Sequence, residues 1–581
     1  METRSTIWKR FFVFLRPYIR YEALLLLLMV LGNMAALASP YFLKIIIDHA
    51  LVEKKTDMLF GILSVILATY VFRVVLGMAA EYMYSWISNR VLNDLSLRLF
   101  NHVIRLPMSF FKERSLGDLI HRMNNEVNNV RNALTGALIN FINNGITIIG
   151  LITLMCILEV KLFLAICLIY PLLFLTIRRF HPRIKTITGK VRKMESAILG
   201  HLTERVSHIR FIKLFNTYLF EEKLLKDRFM SLIKLNMSGT LVLSGSKGIS
   251  IFLLAMVPLI TLGLGGYRVI AGVMTIGTLI AFLQYANKLY DPFQNIVSLY
   301  AELINTSVSL SRIFELLDHP VQFSDGNYIE LEGEIARIEL NGVSFAHQDK
   351  TVIRDFNFTF EAGRHYAIVG SSGGGKSTIV DLLCKFNIPA TGQILVNGQD
   401  LQDIDMEHWM QRLTVNSQGY FLFNDTIVEN IRYGKQDATE AEAAHVSRLV
   451  RLFNDHQEYK DRIDTMIGDS GVKLSGGQKQ KMSLGRSLLR KTELLIIDEA
   501  SSEIDSKSED IIYKHIFESG KFHTIILISH RLSTLKHVQE IICMDAGEIV
   551  EHGTMSALIN KRGHFYRLFE SQLHPAAQQV M

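Results

Sequence analysis

The sequence predicts an α-helical membrane domain of six transmembrane helices with long cytosolic extensions, followed by a soluble α/β domain. Of the 581 residues, 49% are hydrophobic. The apolar excess lies between about Ala23 and Ile296, in runs long enough to cross the ~30 Å hydrocarbon layer of a bilayer. From Ile335 onward, short alternating strands precede a strand, a glycine-rich loop and a helix, which is the order typical of an α/β domain. We therefore divide the chain into a membrane domain (1–315), a linker (316–334) and a soluble domain (335–581).

Six apolar runs and the segments between them predict how the chain crosses the membrane. The links on one side are short, and the last of these links is expected around Gly265–Tyr267. The segments Ser85–Asn132 and Arg178–Gly239 are long and rich in Arg and Lys, so the positive-inside rule places them in the cytosol, with the N-terminus and the soluble domain. We expect both to continue the spans as helices, to reverse near Phe110–Asp118 and Phe215–Phe220, and to dock on the soluble domain. The predicted spans are Ala23–Ile47, Leu59–Met83, Ala133–Leu158, Leu162–Ile177, Thr240–Leu264 and Val269–Tyr290.

Charge and cysteine content narrow the functional class. A formal net charge of +6 is small for this length and indicates no nucleic-acid partner. The four cysteines show no C-x-x-C pairing, which favours reduced, buried thiols over disulfides or metal ligands. The first long apolar run lacks a small-residue cleavage site and is followed by further spans, so no cleaved signal peptide is predicted.

A glycine-rich loop after the strand Tyr366–Val369 carries the chemistry of the soluble domain. It fits the phosphate-binding pattern G-x-x-x-x-G-K-[ST] between a strand and a helix. The glycines let consecutive N–H groups turn toward phosphate oxygens, and the next helix adds its N-terminal dipole. Lys376 brings a charge to the β- and γ-phosphates of ATP, and Ser377 offers a hydroxyl to Mg²⁺. The α/β domain is therefore predicted to be a P-loop ATPase. Its loop residues are Gly370, Ser371, Ser372, Gly373, Gly374, Gly375, Lys376, Ser377 and Thr378.

A buried strand at Leu494–Ile497 delivers two carboxylates at its end. Asp498 is suited to bind Mg²⁺, and Glu499 is suited to act as a base or to orient the attacking water. Strands that end in acidic residues are common, but one that follows a phosphate loop in this order indicates an ATPase.

Between these two motifs stands the pentapeptide Leu474–Gln478 (LSGGQ), and with it the chain resembles the ATP-binding-cassette (ABC) transporters over nearly its whole length. The resemblance is to half-transporters of the exporter type, nearest to the lipid A flippase and multidrug exporter subfamily. It implies that Gln418 couples nucleotide to the membrane domain and contributes to the metal site and to catalysis. His530 corresponds to the histidine that contacts the γ-phosphate.

The resemblance also implies that each ATP is shared between two chains. The signature residues Ser475, Gly476, Gly477 and Gln478 contact ATP held by the loop of the other subunit. Because all motifs of one site are intact, two copies would make two competent sites, which favours a homodimer. The family's adenine-stacking aromatic residue aligns with His347, where tyrosine is usual, and His347 is expected to stack less extensively or to be a surface residue.

Polar side chains inside the predicted spans indicate a cavity for the transported molecule. An intramembrane charge needs a reason, and Arg73 lies in the middle of the second span, with Glu81 two turns further on. A water-filled cavity would explain these groups together, although polar contacts that only pack the helices are an alternative. The candidate cavity residues are Arg73, Lys247, Gln284, Lys288, Asp291 and Asn295.

The expected function is ATP-driven export of an amphipathic substrate, such as a lipid, a hydrophobic drug or a modified peptide, across the cytoplasmic membrane. A homodimer would carry it out by alternating access, in contact with membrane lipids. Alternatives are a dedicated antimicrobial-peptide exporter that confers self-immunity and an ATP-gated regulator.

Overall fold

The structure is a computed structural model, and its described residues form two compact units. One unit holds the described residues up to Val103 and from Gly117 to His319, and the other holds Ile104–Leu116 and the described residues from Pro320 onward. The structure describes residues 10, 13–14, 16–114, 116–132, 136, 138–321, 328–347, 350–417, 419, 421–453, 462–468, 471–498 and 504–573.

Eleven helices precede the first strand within the described residues. Pro107 is the N-terminal cap of α3 and separates it from the long helix α2, because proline fixes φ and is favoured at helix starts. The helices are α1 (Ile19–Ile45, continued by a π-helical turn at Ile46–Leu51), α2 (Thr56–Val103), α3 (Met108–Glu113), α4 (Leu116–His121, continued by a π-helical turn at Arg122–Glu126), α5 (Val127–Asn132), α6 (Leu138–Cys167), α7 (Ile169–Ser207), α8 (Ile209–Phe215), α9 (Tyr218–Ile270), α10 (Ile276–Lys288) and α11 (Tyr290–Leu317).

Four helical stretches of the described chain are long and apolar enough to cross a membrane. They are Ile19–Leu51, Thr56–Val103, Ile139–Cys167 and Tyr218–Ile270. The third contains the turn predicted after Leu158, because Glu159 has the non-helical values φ −166° and ψ 100°. Helices α2, α7 and α9 extend well beyond a bilayer's thickness, as expected for spans that continue into the cytosol.

The link predicted around Gly265–Tyr267 is wrong. Helix α9 continues to Ile270, the turn falls at 271–275, and α10 begins only at Ile276. A Cβ at Gly265 would lie 2.4 Å from Leu279 Cδ1, so this glycine allows α9 and α10 to approach closely. The turn forms later because the side chain of Thr275 accepts a hydrogen bond from Thr278 N and starts α10.

The second unit contains ten strands in two sheets. Strands β1 and β2 lie in a four-stranded antiparallel sheet with the order β2-β1-β4-β5. The other sheet has six strands in the order β10-β9-β3-β8-β7-β6 and is parallel except for β10. The strands are β1 (Arg337–His347), β2 (Lys350–Glu361), β3 (His365–Gly370), β4 (Thr391–Val396), β5 (Gln399–Asp400), β6 (Leu413–Asn416), β7 (Leu494–Asp498), β8 (Thr524–Ile528), β9 (Glu540–Asp545) and β10 (Glu548–Gly553).

Two apolar cores enclose the six-stranded sheet. Side chains alternate along each buried strand, so Ala367 and Val369 pack into one core while Tyr366 and Ile368 pack into the other. This burial fixes the ends of the parallel strands at a common edge of the sheet. The helices of this part of the chain are α12 (Lys376–Leu383), α13 (Met406–Arg412), α14 (Ile427–Arg432), α15 (Glu440–Leu449), α16 (Gly476–Leu489), α17 (Ser506–Glu518), α18 (Leu532–Leu535), α19 (Met555–Lys561) and α20 (His564–Leu573).

Candidate functional site: a phosphate loop and a signature helix

The predicted phosphate loop lies between the buried strand β3 and helix α12. Gly373 and Gly375 have φ values of +80° and +94°, a region that glycine enters without steric cost. At Gly370 an added Cβ would lie 2.1 Å from the carbonyl oxygen of Met544 on the neighbouring strand β9. The loop can therefore bring its backbone N–H groups around an anion only because these positions carry no side chain.

The loop lysine is held ready at the centre of the loop. Lys376 is 7% exposed, and its Nζ donates to the carbonyl oxygens of Gly370 and Ser371, both at 2.9 Å. These contacts place a positive charge inside the concave loop. A phosphate bound in the loop would therefore lie close to the ammonium group of Lys376.

Two predicted metal ligands meet at the edge of the sheet. Asp498 ends β7 and is 7% exposed, and Ser377 Oγ donates to Asp498 Oδ2 at 3.2 Å. A hydroxyl and a carboxylate are oxygen ligands of the kind that Mg²⁺ prefers, and Mg²⁺ commonly keeps phosphate and water as its other ligands. This pair therefore fits a Mg²⁺ ion bound together with ATP.

The signature motif starts helix α16. Ser475 is its N-cap, and the Ser475 hydroxyl accepts from Gln478 N at 3.3 Å while Gln478 Oε1 accepts from Ser475 N at 3.0 Å. This reciprocal capping box fixes the helix N-terminus. The N–H groups of Gly476 and Gly477 lie in the first turn of a fourteen-residue helix, where an anion is stabilised by the helix dipole. The side chains of Ser475 and Gln478 thus each bond to the backbone N–H of the other residue.

The loop after β8 carries His530 and is held by three hydrogen bonds. His530 is exposed, and its carbonyl oxygen accepts from Gln572 Nε2 at 2.9 Å. Next to it, Arg531 Nη1 donates to Glu509 Oε2 at 2.8 Å. Thr534 Oγ1 donates to Ser529 Oγ at 2.8 Å. The sequence gives no local signal for Gln572 or Glu509, because both are distant along the chain.

A second network joins the signature helix to the segment just after Gln418. Arg486 on α16 donates from Nε and Nη1 to the carbonyl oxygens of Asn430 and Phe421, both at 2.8 Å, and from Nη2 to Asn430 Oδ1 at 3.1 Å. Burial lowers the pKa of Arg486. Asn430 is 1% exposed and also bonds the backbone of Phe423. Sequence reasoning missed Arg486 and Asn430.

The remaining predicted site residues are placed as follows. Gln418 and Glu499 lie outside the described residues, each adjacent to a described segment that ends at the sheet edge. His347 ends β1, is exposed, and places its ring edge-on to Phe345 with centroids 5.0 Å apart. Outside this predicted set, Asp505 caps α17 by accepting from Ser508 N at 2.8 Å, and its hydrogen bonds to the hydroxyl and the N–H of Ser508 lower the pKa of Asp505.

The first predicted reversal lies in the same unit as the ATPase residues. Helix α3 carries Phe110, which is 3% exposed, and Lys112, whose Nζ lies 3.1 Å from Asp381 Oδ2. Asp381 is on α12, the helix that begins at Lys376. The expectation that this reversal docks on the soluble domain is therefore confirmed, and the second reversal occurs at α8, followed by Asn216 in the left-handed conformation.

The candidate cavity residues of the membrane unit do not gather in one place. Arg73 lines a cavity of about 370 Å³ between α1, α2 and α6, together with Glu81, Asn140 and Asn143. Lys288 lies outside that lining, and its Nζ donates to the carbonyl oxygen of Ala36 at 2.7 Å.

Some of the polar groups near this cavity form hydrogen bonds from one helix to another. Asn33 Nδ2 donates to Asn143 Oδ1 at 2.8 Å and to Thr147 Oγ1 at 2.9 Å, joining α1 to α6. Gln284 is half-buried in α10, whereas Lys247 in α9 is exposed, as are Asp291 and Asn295 in α11.

Membrane-crossing helices joined in one chain to a phosphate loop and a capped LSGGQ helix define the class of ABC half-transporters, and the comparisons agree. Residues 23–293 match the family model of the ABC transporter transmembrane region, and residues 353–502 match the ABC transporter family model. A putative multidrug export ATP-binding/permease protein of Staphylococcus aureus is 31% identical over 97% of this chain and 99% of its own length. An ATP-dependent lipid A-core flippase of Syntrophus aciditrophicus is 28% identical over 98% of this chain and 95% of its own length.

The chain belongs to the ABC transporter family and is an ATP-binding, ATP-hydrolysing membrane exporter. A solved structure described as a bacterial Atm1-family ABC exporter with ATP bound matches it with a TM-score of 0.82, over 98% of this chain and 99% of that chain, at 23% identity. That likeness shows that the two proteins share a fold.

Proposed function

We propose that two copies of this chain form an exporter that moves an amphipathic substrate outward across the cytoplasmic membrane. One observation carries the proposal: an intact phosphate loop and an intact signature helix, whose N-terminus is fixed by the capping box of Ser475 and Gln478, occur on one chain. Each phosphate loop would then be completed by the signature helix of the second copy, and both sites of the homodimer would be competent.

In this proposal, MgATP is held by residues whose geometry is described above. Lys376 and the loop N–H groups bind the phosphates, and Ser377 and Asp498 hold Mg²⁺, which neutralises phosphate charge when bound. Glu499 orients and polarises the attacking water, and Gln418 and His530 contact the metal or the γ-phosphate. His347 stacks on adenine.

Coupling to the membrane helices would run through the first reversal. The ion pair between Lys112 on α3 and Asp381 on α12 links the reversal to the helix that carries the phosphate loop. Movement of α12 during ATP binding would shift α3, and alternating access would follow. In this arrangement residues 1–315 form the transport path, 316–334 the linker and 335–581 the ATPase, with the N-terminus and the ATPase in the cytosol.

The experiment that tests the proposal uses the purified full-length protein in proteoliposomes. We expect ATP to drive movement of a fluorescent phospholipid or hydrophobic dye from the leaflet that faces the ATPase domains to the opposite side. The Lys376→Ala variant should not support this movement, because it lacks the charge that binds the phosphates. Equal movement by the wild type and Lys376→Ala would contradict the proposal.

A dedicated antimicrobial-peptide exporter is the second candidate. The same proteoliposomes can be loaded with an amphipathic antimicrobial peptide in place of the lipid. Transport of the peptide without transport of lipid or dye would favour this candidate.

A further inference from the structure

We propose that the cavity between α1, α2 and α6 binds a zwitterionic, lipid-like amphiphile, with Arg73 holding its anionic group and Glu81 its cationic group. This inference rests on the proposed export function and specifies its substrate class. It concerns a single cavity, which the described residues of the membrane unit form by themselves.

Two opposite charges face this cavity without forming an ion pair with each other. Arg73 and Glu81 both line it, and both side chains are exposed. They are eight residues apart on α2, which corresponds to about 12 Å of axial rise and is too far for a direct ion pair. Neither makes an ion pair with another residue in the described part of the chain. Charges inside a membrane are costly and mark functional positions.

Glu81 distinguishes a zwitterionic ligand from a purely anionic one, because two other polar groups nearby are already hydrogen-bonded. The Asn33 amide is already bonded to Asn143 and Thr147. Lys288 lies within electrostatic range of Arg73 but directs its ammonium to the carbonyl of Ala36. A purely anionic ligand would use Arg73 and would face repulsion from the Glu81 carboxylate. A ligand with both charges satisfies both residues.

The volume of the cavity limits the size of the ligand. Ligand cavities of ~300–1,000 Å³ are usual for small molecules, and this cavity of about 370 Å³ is at the lower end. It can hold a headgroup but not complete acyl chains. With ion-pair contacts of up to about 4 Å at each end, a ligand between Arg73 and Glu81 would carry its charges between roughly 4 and 12 Å apart. Phosphocholine-type headgroups fall within this range.

Helix α2 also carries exposed apolar side chains next in sequence to residues that line the cavity. On the same helix α2, Phe72, Val74, Val75 and Met78 are all more than half exposed. The cavity lining itself includes the apolar side chains Leu76 on α2 and Leu28 on α1. Acyl chains could therefore leave the headgroup site along an apolar surface, which favours a lipid-like substrate over a polar peptide.

The test compares three amphiphiles with the same alkyl chain: a phosphocholine, a phosphate monoester and a trimethylammonium. Binding to the full-length protein in a non-ionic detergent should be about tenfold or more tighter for the phosphocholine, since the Coulomb attraction of two opposite charges about 4 Å apart contributes about this factor or more at a partly solvated site. Glu81→Gln should bring the phosphocholine down to the affinity of the phosphate monoester. Arg73→Gln should bring it down to the affinity of the trimethylammonium.

Asp57→Asn is the matched control, because Asp57 lies on the same helix but outside the cavity lining. It should keep the wild-type order of affinities. A wild type that binds the phosphate monoester best, or a Glu81→Gln variant that keeps the preference for phosphocholine, would overturn the inference. Glu81→Gln decides the question alone if Arg73→Gln does not fold.

ATP-driven dye movement in proteoliposomes separates this inference from the proposed function. Intact movement without any preference for phosphocholine would refute only the zwitterion site. A preference for phosphocholine in a protein that moves nothing with ATP would refute only the exporter proposal.

Discussion

Replacing Arg486 by methionine tests whether the signature helix positions the segment that follows Gln418. The arginine makes three hydrogen bonds to Phe421 and Asn430 and lies 5.3 Å from the ring centroid of Tyr433. Methionine keeps much of the apolar stem and removes all three donors.

The magnitude follows from the acceptors that the change would leave behind. Hydrogen bonds to a charged group contribute about 1.5–3 kcal/mol each, but water can replace some of them at a half-buried site. We expect a total loss of about 3 kcal/mol in the positioning of this segment. If the whole loss appears in the transition state, ATP turnover should fall up to about a hundredfold.

The assay is steady-state ATP hydrolysis by the full-length protein, together with the affinity for ATP. The affinity should stay within a few-fold of the wild-type value, because Arg486 contacts neither Lys376 nor Ser377. Arg490→Met is the matched control, since Arg490 is also half-buried at the end of α16 but donates to Met410 instead. Wild-type turnover in Arg486→Met, or an equal loss in Arg490→Met, would refute this positioning role.

Three further predictions concern the ATPase unit. Glu499→Gln should slow hydrolysis by about 10²–10⁴-fold while ATP stays bound, whereas Lys376→Ala should fail to bind ATP. Near-normal hydrolysis by Glu499→Gln would contradict the role of Glu499 in orienting the attacking water. The exposed pair of Lys112 and Asp381 contributes only about 0.2–1 kcal/mol. Lys112→Glu and Asp381→Lys each place two like charges at this contact, so each variant should weaken substrate-stimulated turnover, and the double variant should restore it. No rescue in the double variant would exclude this pair as a coupling contact. Burial lowers the pKa of Lys385 to about 8. Above that pH the folded state therefore binds fewer protons than the unfolded state. The free energy of unfolding should rise by roughly 2 kcal/mol from pH 8 to 9.5. Thermal unfolding of Lys385→Met should lack this rise, and an identical pH dependence in both proteins would contradict it.

Local motifs explain why much of the ATPase unit could be predicted from the sequence. The phosphate loop, the acidic strand and the signature each combine a short residue pattern with a short structural context. Ser377 and Asp498 lie 121 residues apart, yet the order of the two motifs, a phosphate loop followed by an acidic strand, was enough to predict that both bind one Mg²⁺ ion. The structure joins them at 3.2 Å.

Contacts between distant segments could not be predicted in the same way. Hydrogen bonds from Arg486, Asn430 and Gln572 hold the segments around the site in place. These bonds depend on the packing of several helices, and no local sequence pattern marks the three residues. Gly265 led to a wrong link because glycine can mark either a turn or a close helix contact. Only the position of Leu279, beside it in the structure, distinguishes the two.

One cross-link tests directly whether each ATP site is completed by a second copy of the chain. Ser371→Cys in the phosphate loop and Gly476→Cys in the signature would be combined in a protein whose native cysteines Cys156, Cys167, Cys384 and Cys543 are replaced by serine. Under ATP and a mild oxidant, we predict a disulfide between two chains and a band of dimer mass. A band of monomer mass, with none of dimer mass, would contradict the shared site.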